Sequence, residues 1–336
     1  KKSISGRSMR QVTARVFCQL KGAGGNPVTI FAKNKNGAIS SFQGQKWAQG
    51  CEWESVMVDT SSRTLQYYMP TGEEVSFCAH AAMGGVLQLY NQLEEPFPFY
   101  SAMKKEKKKN DDKEEESSSS STAIVHKDNI VSLELREEWQ ASKIPHPPSL
   151  QRLLREACGV ASTSLVKPPG PEDYPTFCNY STSRPKTLVY INSLEALHNA
   201  RAPTNPQVFQ RACDALETTG LYLYSPVPDE PGSFECRQFP RASNYKEDPA
   251  TGIAASALAV ALQQTNNTST SIHAVPRYKF YQGTAMGRPS LILVEDLQFH
   301  KDENNPEKQE VSFRLLGKVE VDDEKDVEEP TIPTED

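Results

Sequence analysis

Two stretches of small residues, one in each half of the chain, constrain the fold most. The plainer one is Asp248-Pro249-Ala250-Thr251-Gly252, which runs straight into Ile253-Ala254-Ala255-Ser256-Ala257-Leu258-Ala259-Val260-Ala261-Leu262. Asp is a favoured N-cap, and Pro suits the first helical position because its missing N–H would find no intrahelical partner. These residues predict a helix entered through Asp248-Pro249 and apolar nearly all round, hence buried. The first turn of such a helix can hold an anion, since the amides of Thr251 and Gly252 and the helix dipole both point at a ligand. A well-capped core helix is the plain alternative.

The counterpart is Cys78-Ala79-His80-Ala81-Ala82-Met83-Gly84-Gly85-Val86-Leu87, reached through strand-like residues 65–69 and 75–77. Both halves thus read as a strand, a polar residue and a small-residue helix, the pattern of an internal pseudo-repeat. At 336 residues the chain is long for one hydrophobic core, so two domains are expected.

Charge and cysteine usage narrow the class. The net charge of −6 argues against a nucleic-acid partner. No apolar run reaches the roughly 20 residues of a membrane span. The seven cysteines are odd in number, scattered and without a CxxC pair, so neither a disulfide framework nor a metal site is indicated. Residues 1–7 lack the apolar stretch of a signal peptide. A cytoplasmic chain with reduced thiols is the expectation. Residues 104–122 hold a basic block, an acidic block and a serine run, a composition that predicts a disordered surface insert. Residues 322–336 read as a solvated acidic tail.

Further candidates lie between these landmarks. Gly22-Ala23-Gly24-Gly25-Asn26-Pro27 predicts backbone passing close to something, although no Gly-Lys-Ser/Thr follows to make a phosphate loop. Glu54 sits between Trp53 and Val56-Met57-Val58, and a carboxylate among apolar neighbours suits acid–base work. No strand–GxGxxG–helix unit is present, which disfavours hydride transfer.

Taken in order, Gly25-Asn26-Pro27-Val28, Trp53-Glu54-Ser55, Glu74 to Ala81, Glu247 to Gly252, and Gln282-Gly283 with Met286 to Ser290 resemble the PhzF-like phenazine-biosynthesis family. That resemblance implies an α+β, diaminopimelate-epimerase-like fold, with two similar domains each wrapping a barrel-like sheet around a central helix. It places an N-terminal domain at 1–145, completed by strands at 310–321, and a C-terminal domain at 146–309. It also implies a homodimer, and an isomerase that moves a proton on a small carboxylated substrate, bound between the domains, without metal or organic cofactor.

By that resemblance Glu54 is the acid–base group, and His80 and Asp248 are its partners. Asn26, Ala79, Thr251, Gly252 and Ile253 line the substrate. Ala79 stands where the family usually has Gly, and Ile253 where it often has Ser; the added carbons shrink and dry the pocket. The substrate of phenazine synthesis is therefore not carried over. Cys78 lies near the thiol position of related epimerases. With Asp248 rather than a second cysteine opposite, it reads as a buried small hydrophobe. The alternative is a catalytically silent protein of the same fold that only binds a small molecule or serves as a scaffold.

Overall fold

The computed structural model describes residues 8–19, 23–33, 40–90, 92–101, 119–145, 147–165, 177–241, 246–268, 277–301 and 309–328. Two compact units emerge. The first takes residues 1–16, 27–133 and 318–336, and the second residues 17–26 and 134–317.

The first half of the chain forms β1 (Ser8–Val16), β2 (Asn26–Lys33), α1 (Ser41–Ala48), β3 (Ser55–Asp59) and β4 (Thr64–Tyr68). It continues through β5 (Glu74–Val75), α2 (Ala79–Val86), β6 (Phe97–Ser101), β7 (Ser119–Val125) and β8 (Ile130–Glu138). Next come β9 (Gln140–Lys143), α3 (Pro147–Glu156), β10 (Phe177–Ser181), β11 (Lys186–Tyr190), α4 (Leu194–Asn199) and α5 (Pro206–Ala215). The chain closes with β12 (Gly220–Pro226), β13 (Ser233–Pro240), α6 (Gly252–Thr268), β14 (Arg277–Gln282), β15 (Ser290–Lys301) and β16 (Gln309–Glu328).

The repeat suggested by sequence reappears as topology. In the first unit β2 is parallel to β3, β3 antiparallel to β4, β4 parallel to β6, and β6 antiparallel to β7. In the second unit the same series runs β11, β12, β13, β14, β15. Parallel neighbours need a crossover, usually a helix. The crossover between β4 and β6 carries α2, and that between β13 and β14 is α6. Because β1 pairs with both β2 and β16, the path β1-β2-β3-β4-β6-β7-β8-β16 closes into a barrel. The fold is α+β, as expected.

Each crossover helix is buried for a visible reason. All of α2 is buried against β1, β3 and β4, and a Cβ added at Gly85 would come within 3.0 Å of Leu65 and 3.3 Å of Val56. Larger residues there would push the strands apart. Ala254, Ala255 and the run Ala257 to Ala261 bury α6 against β10, β11 and β15.

Three expectations change. Residues 104–118 of the predicted insert lie outside the described residues, but Ser119, Ser120, Ser121 and Thr122 belong to β7 and pair with β6. The acidic stretch from Asp322 does not hang free: it continues β16 to Glu328 alongside β1. Arg10 meets Glu324 at 2.6 Å and Arg15 meets Asp322 at 2.7 Å, so the carboxylates have cations opposite. Helix α6 starts at Gly252 rather than at Pro249, for the reason given next.

Candidate functional site

The predicted site residues fall into two groups, one in each unit. In the first unit, Glu54 immediately precedes β3, and its carbonyl accepts from the Thr29 amide of β2 at 3.0 Å. His80 occupies the first turn of α2. Both side chains are buried, with exposures of 8% and 7%, and His80 Nε2 stands 3.9 Å from Glu54 Oε2. The sequence separates them widely; β3 and the start of α2 bring them together. Ala79 opens the helix beside them, 3% exposed. No side chain caps α2, whose N-cap is Cys78.

Cys78 is not the buried hydrophobe expected. It is half-buried, and its Sγ lies 3.4 Å from His80 Nδ1. The extended backbone at Cys78, φ −140°, turns the thiol toward the ring that follows it in the helix. His80 therefore stands between a thiol and a carboxylate.

In the second unit, Asp248 organises the approach to α6. Its Oδ1 accepts from Asn26 Nδ2 at 2.8 Å and from the Ala250 amide at 3.2 Å, and its Oδ2 accepts from the Thr251 hydroxyl at 2.7 Å. Asn26 Nδ2 also donates to the Ala250 carbonyl at 2.9 Å. These bonds fold residues 248–251 into a turn, the habit of an Asp whose side chain bonds the backbone ahead of it. The helix accordingly begins three residues later than its cap-like Asp-Pro suggests. Its first intrahelical bond runs from the Ala255 amide to the Thr251 carbonyl at 3.0 Å.

Gln282, the last residue of β14, completes the network. Its Nε2 donates to the Asp248 carbonyl at 2.7 Å and to Thr251 Oγ1 at 3.1 Å. Its Oε1 accepts from the Thr251 amide and from the Tyr222 hydroxyl, both at 3.2 Å. The Thr251 amide, expected to face a ligand, is thus already taken. The amides of Gly252 and Ile253 follow it in the first turn, where no helical carbonyl can reach them. Burial raises the Tyr222 hydroxyl's pKa, with the neighbouring Cys236 and Asp248 adding to the effect.

The glycine cluster serves this group. Gly24 has φ +73°, and a Cβ there would fall 1.6 Å from the Pro289 carbonyl oxygen, so only glycine lets the backbone pass. Gly22 lies outside the described residues. The neighbouring Gly25 amide donates to Ser290 Oγ at 2.9 Å, which fixes Asn26 next to it.

Gln282 enters the sequence only as a motif letter, because what it touches is set by strand register. Among the described residues, no helix is long and apolar enough to cross a membrane.

A family model matches part of the chain in sequence, and solved structures share its architecture. The family model described as "Phenazine biosynthesis-like protein" (PhzC-PhzF) matches residues 161–314. A PhzF-family phenazine biosynthesis protein from Bacillus anthracis superposes with a TM-score of 0.66 over 95% of this chain and 99% of its own, at 15% identity. The chain is PhzF-like. A predicted epimerase from Pseudomonas aeruginosa shares the PhzF-like architecture with a TM-score of 0.65, at 19% identity over 95% and 99% of the two chains. A hydroxyproline epimerase from Agrobacterium vitis does so with a TM-score of 0.52, at 9% identity over 96% and 93%. The fold is that of the diaminopimelate epimerases and proline racemases. No curated protein matches the chain in sequence.

Proposed function

We propose that this PhzF-like chain is an isomerase that moves a proton on a small carboxylated metabolite, without metal or organic cofactor. The observation that carries the reading is the buried Glu54–His80 pair at 3.9 Å, set at the entrance to a crossover helix. The PhzC-PhzF match and the epimerases among the similar structures support it.

In the reaction, a substrate C–H bond breaks and its proton passes to a Glu54 carboxylate oxygen, leaving the electron pair on the substrate. The proton then returns to a different carbon or face, so atoms and electrons balance with no oxidant. His80 orients the Glu54 carboxylate. In the second unit Asp248, through Asn26 and Thr251, fixes the first turn of α6. Acid–base help of this kind is worth about 10²–10⁴-fold. The fixed dipoles of helix termini add to it by stabilising developing charge.

Heavy-water incorporation tests the reading. Small carboxylated metabolites, including amino and unsaturated hydroxy acids, are incubated with the protein in D₂O and followed by NMR and mass spectrometry. Deuterium is expected in at least one substrate–product pair with wild type and is lost with Glu54→Gln. Equal incorporation by the two proteins overturns the assignment. Ligand-dependent stabilisation without exchange across the whole panel selects the binding-only reading.

A further inference from the structure

A lysine that no sequence motif marked lies on the sheet face where the α6 network is built. Lys186 opens β11 and is 7% exposed. The registers place it next to Gly220, because Thr187 pairs with Leu221, and the same parity carries Tyr222, Gln238 and Gln282. In a pleated sheet, laterally paired residues share a face. Lys186, Tyr222, Gln238 and Gln282 therefore lie on one face, and two of them, Tyr222 and Gln282, are bonded into the start of α6. The turn that leads into β11 touches the same helix end, since Thr182 Oγ1 donates to the Ile253 carbonyl at 3.5 Å.

Lys186 has work left undone. Among the described residues its ammonium makes no hydrogen bond and no ion pair, although it lies within the electrostatic reach of Asp248. The Asp248 oxygens are instead occupied by Asn26, Ala250 and Thr251. Gln238, 1% exposed, likewise has a side-chain amide with neither its nitrogen nor its oxygen hydrogen-bonded among the described residues. A buried amide with no partner is costly. That orphaned amide and the unbonded Lys186 ammonium lie on one face, beside a helix start with unfilled amides, and make a donor set that lacks its acceptor.

We propose that Lys186 is a substrate-binding residue whose ammonium receives the carboxylate of the ligand at the start of α6, with the Gln238 amide as an accessory donor. The inference rests on the isomerase reading for the identity of that ligand, and it names the group that recognises the acid. Burial, helped by Arg184, pushes the Lys186 amine down to about 8, against the opposing pull of Asp248 and Cys213. Tyr180, its cross-strand partner in β10, and Tyr222 also share its face. A bound carboxylate supplies the missing counter-charge and holds the proton on the amine.

The experiment follows thermal stability with benzoate and acetate as probes and with benzamide and acetamide as uncharged controls. Wild type is expected to be stabilised by the carboxylates and not by the amides, and the effect weakens as pH rises through about 8 and the ammonium loses its proton. Lys186→Met removes a lone buried charge, so its ligand-free Tm rises at pH 7 while its apparent affinity for carboxylates falls at least tenfold. A merely structural lysine would lower both. The ligand-free advantage of the variant shrinks above pH 8, where the wild-type amine is neutral in the fold.

A carboxylate response of Lys186→Met equal to wild type overturns the proposal, as does equal stabilisation by the amides or none by any carboxylate. The pH series uses wild type alone, so a flat response overturns it even if the variant does not fold. Carboxylate stabilisation and deuterium exchange are read separately on wild type. A protein that binds carboxylates through Lys186 but exchanges no deuterium therefore fails the isomerase reading only.

Discussion

Helices α2 and α6 occupy equivalent places in the same strand series, yet their first turns are built in opposite ways. The approach to α6 is tied by Asn26, Thr251 and Gln282 around Asp248, with bonds of 2.7–3.2 Å. The approach to α2 has no side-chain cap, and its polar residues meet at 3.4 Å and 3.9 Å. Such a network fixes the backbone through its own bonds, with Asn26 Oδ1 left as a buried acceptor without a hydrogen bond. The Glu54–His80 pair meets beyond hydrogen-bond length. On the proposed function one helix end frames and the other reacts, and mutation tests the contrast because framing residues should cost stability and reacting ones activity.

The largest loss is expected one residue before Asp248. Glu247 receives Arg237 bidentately at 2.6 Å and 2.8 Å, both side chains being under a tenth exposed. Arg237 also donates to the carbonyls of Leu197, His198 and Ala200, joining the end of α4 to this strand. Glu247→Ala leaves a buried guanidinium without its counter-ion, which costs about 3–5 kcal/mol. Urea unfolding reads it, and a loss below about 1 kcal/mol would mean that the frame is not held here. Next comes Asn26→Ala, which deprives both Asp248 and the Ala250 carbonyl of a donor. It should cost about 2 kcal/mol by the same measurement.

The two ends also differ in how much of them could be read from the sequence. The run Ile253 to Leu262 is apolar on every side, so its burial follows from composition, and so does that of α2. Where α6 begins does not follow, because Asp248 bonds forward to Ala250 and Thr251 and sideways to Asn26, and that sideways partner is a tertiary fact. Helix α1 carries a purely local signal, the capping box formed by Ser40 and Gln43. The acidic end of β16 looked like a tail because its partners, Arg10 and Arg15, come from the other end of the chain. Lys186 was illegible for the same reason: one lysine before a β-branched run looks like an edge residue until the register buries it.

The smallest change in stability should come from the residue that matters most for exchange. Glu54→Gln preserves side-chain shape and leaves the bond from the Thr29 amide to the Glu54 carbonyl untouched. Its neighbour His80 lies at 3.9 Å, beyond hydrogen-bond length, so the substitution breaks no short contact between them. Because the swap conserves side-chain size, unfolding free energy should shift by less than the roughly 2 kcal/mol set for Asn26→Ala. Deuterium incorporation should fall by about 10²–10⁴-fold, the share that general acid–base catalysis contributes. A Glu54→Gln protein as destabilised as Asn26→Ala would place Glu54 among the framing residues, and the contrast between the helix ends would no longer hold.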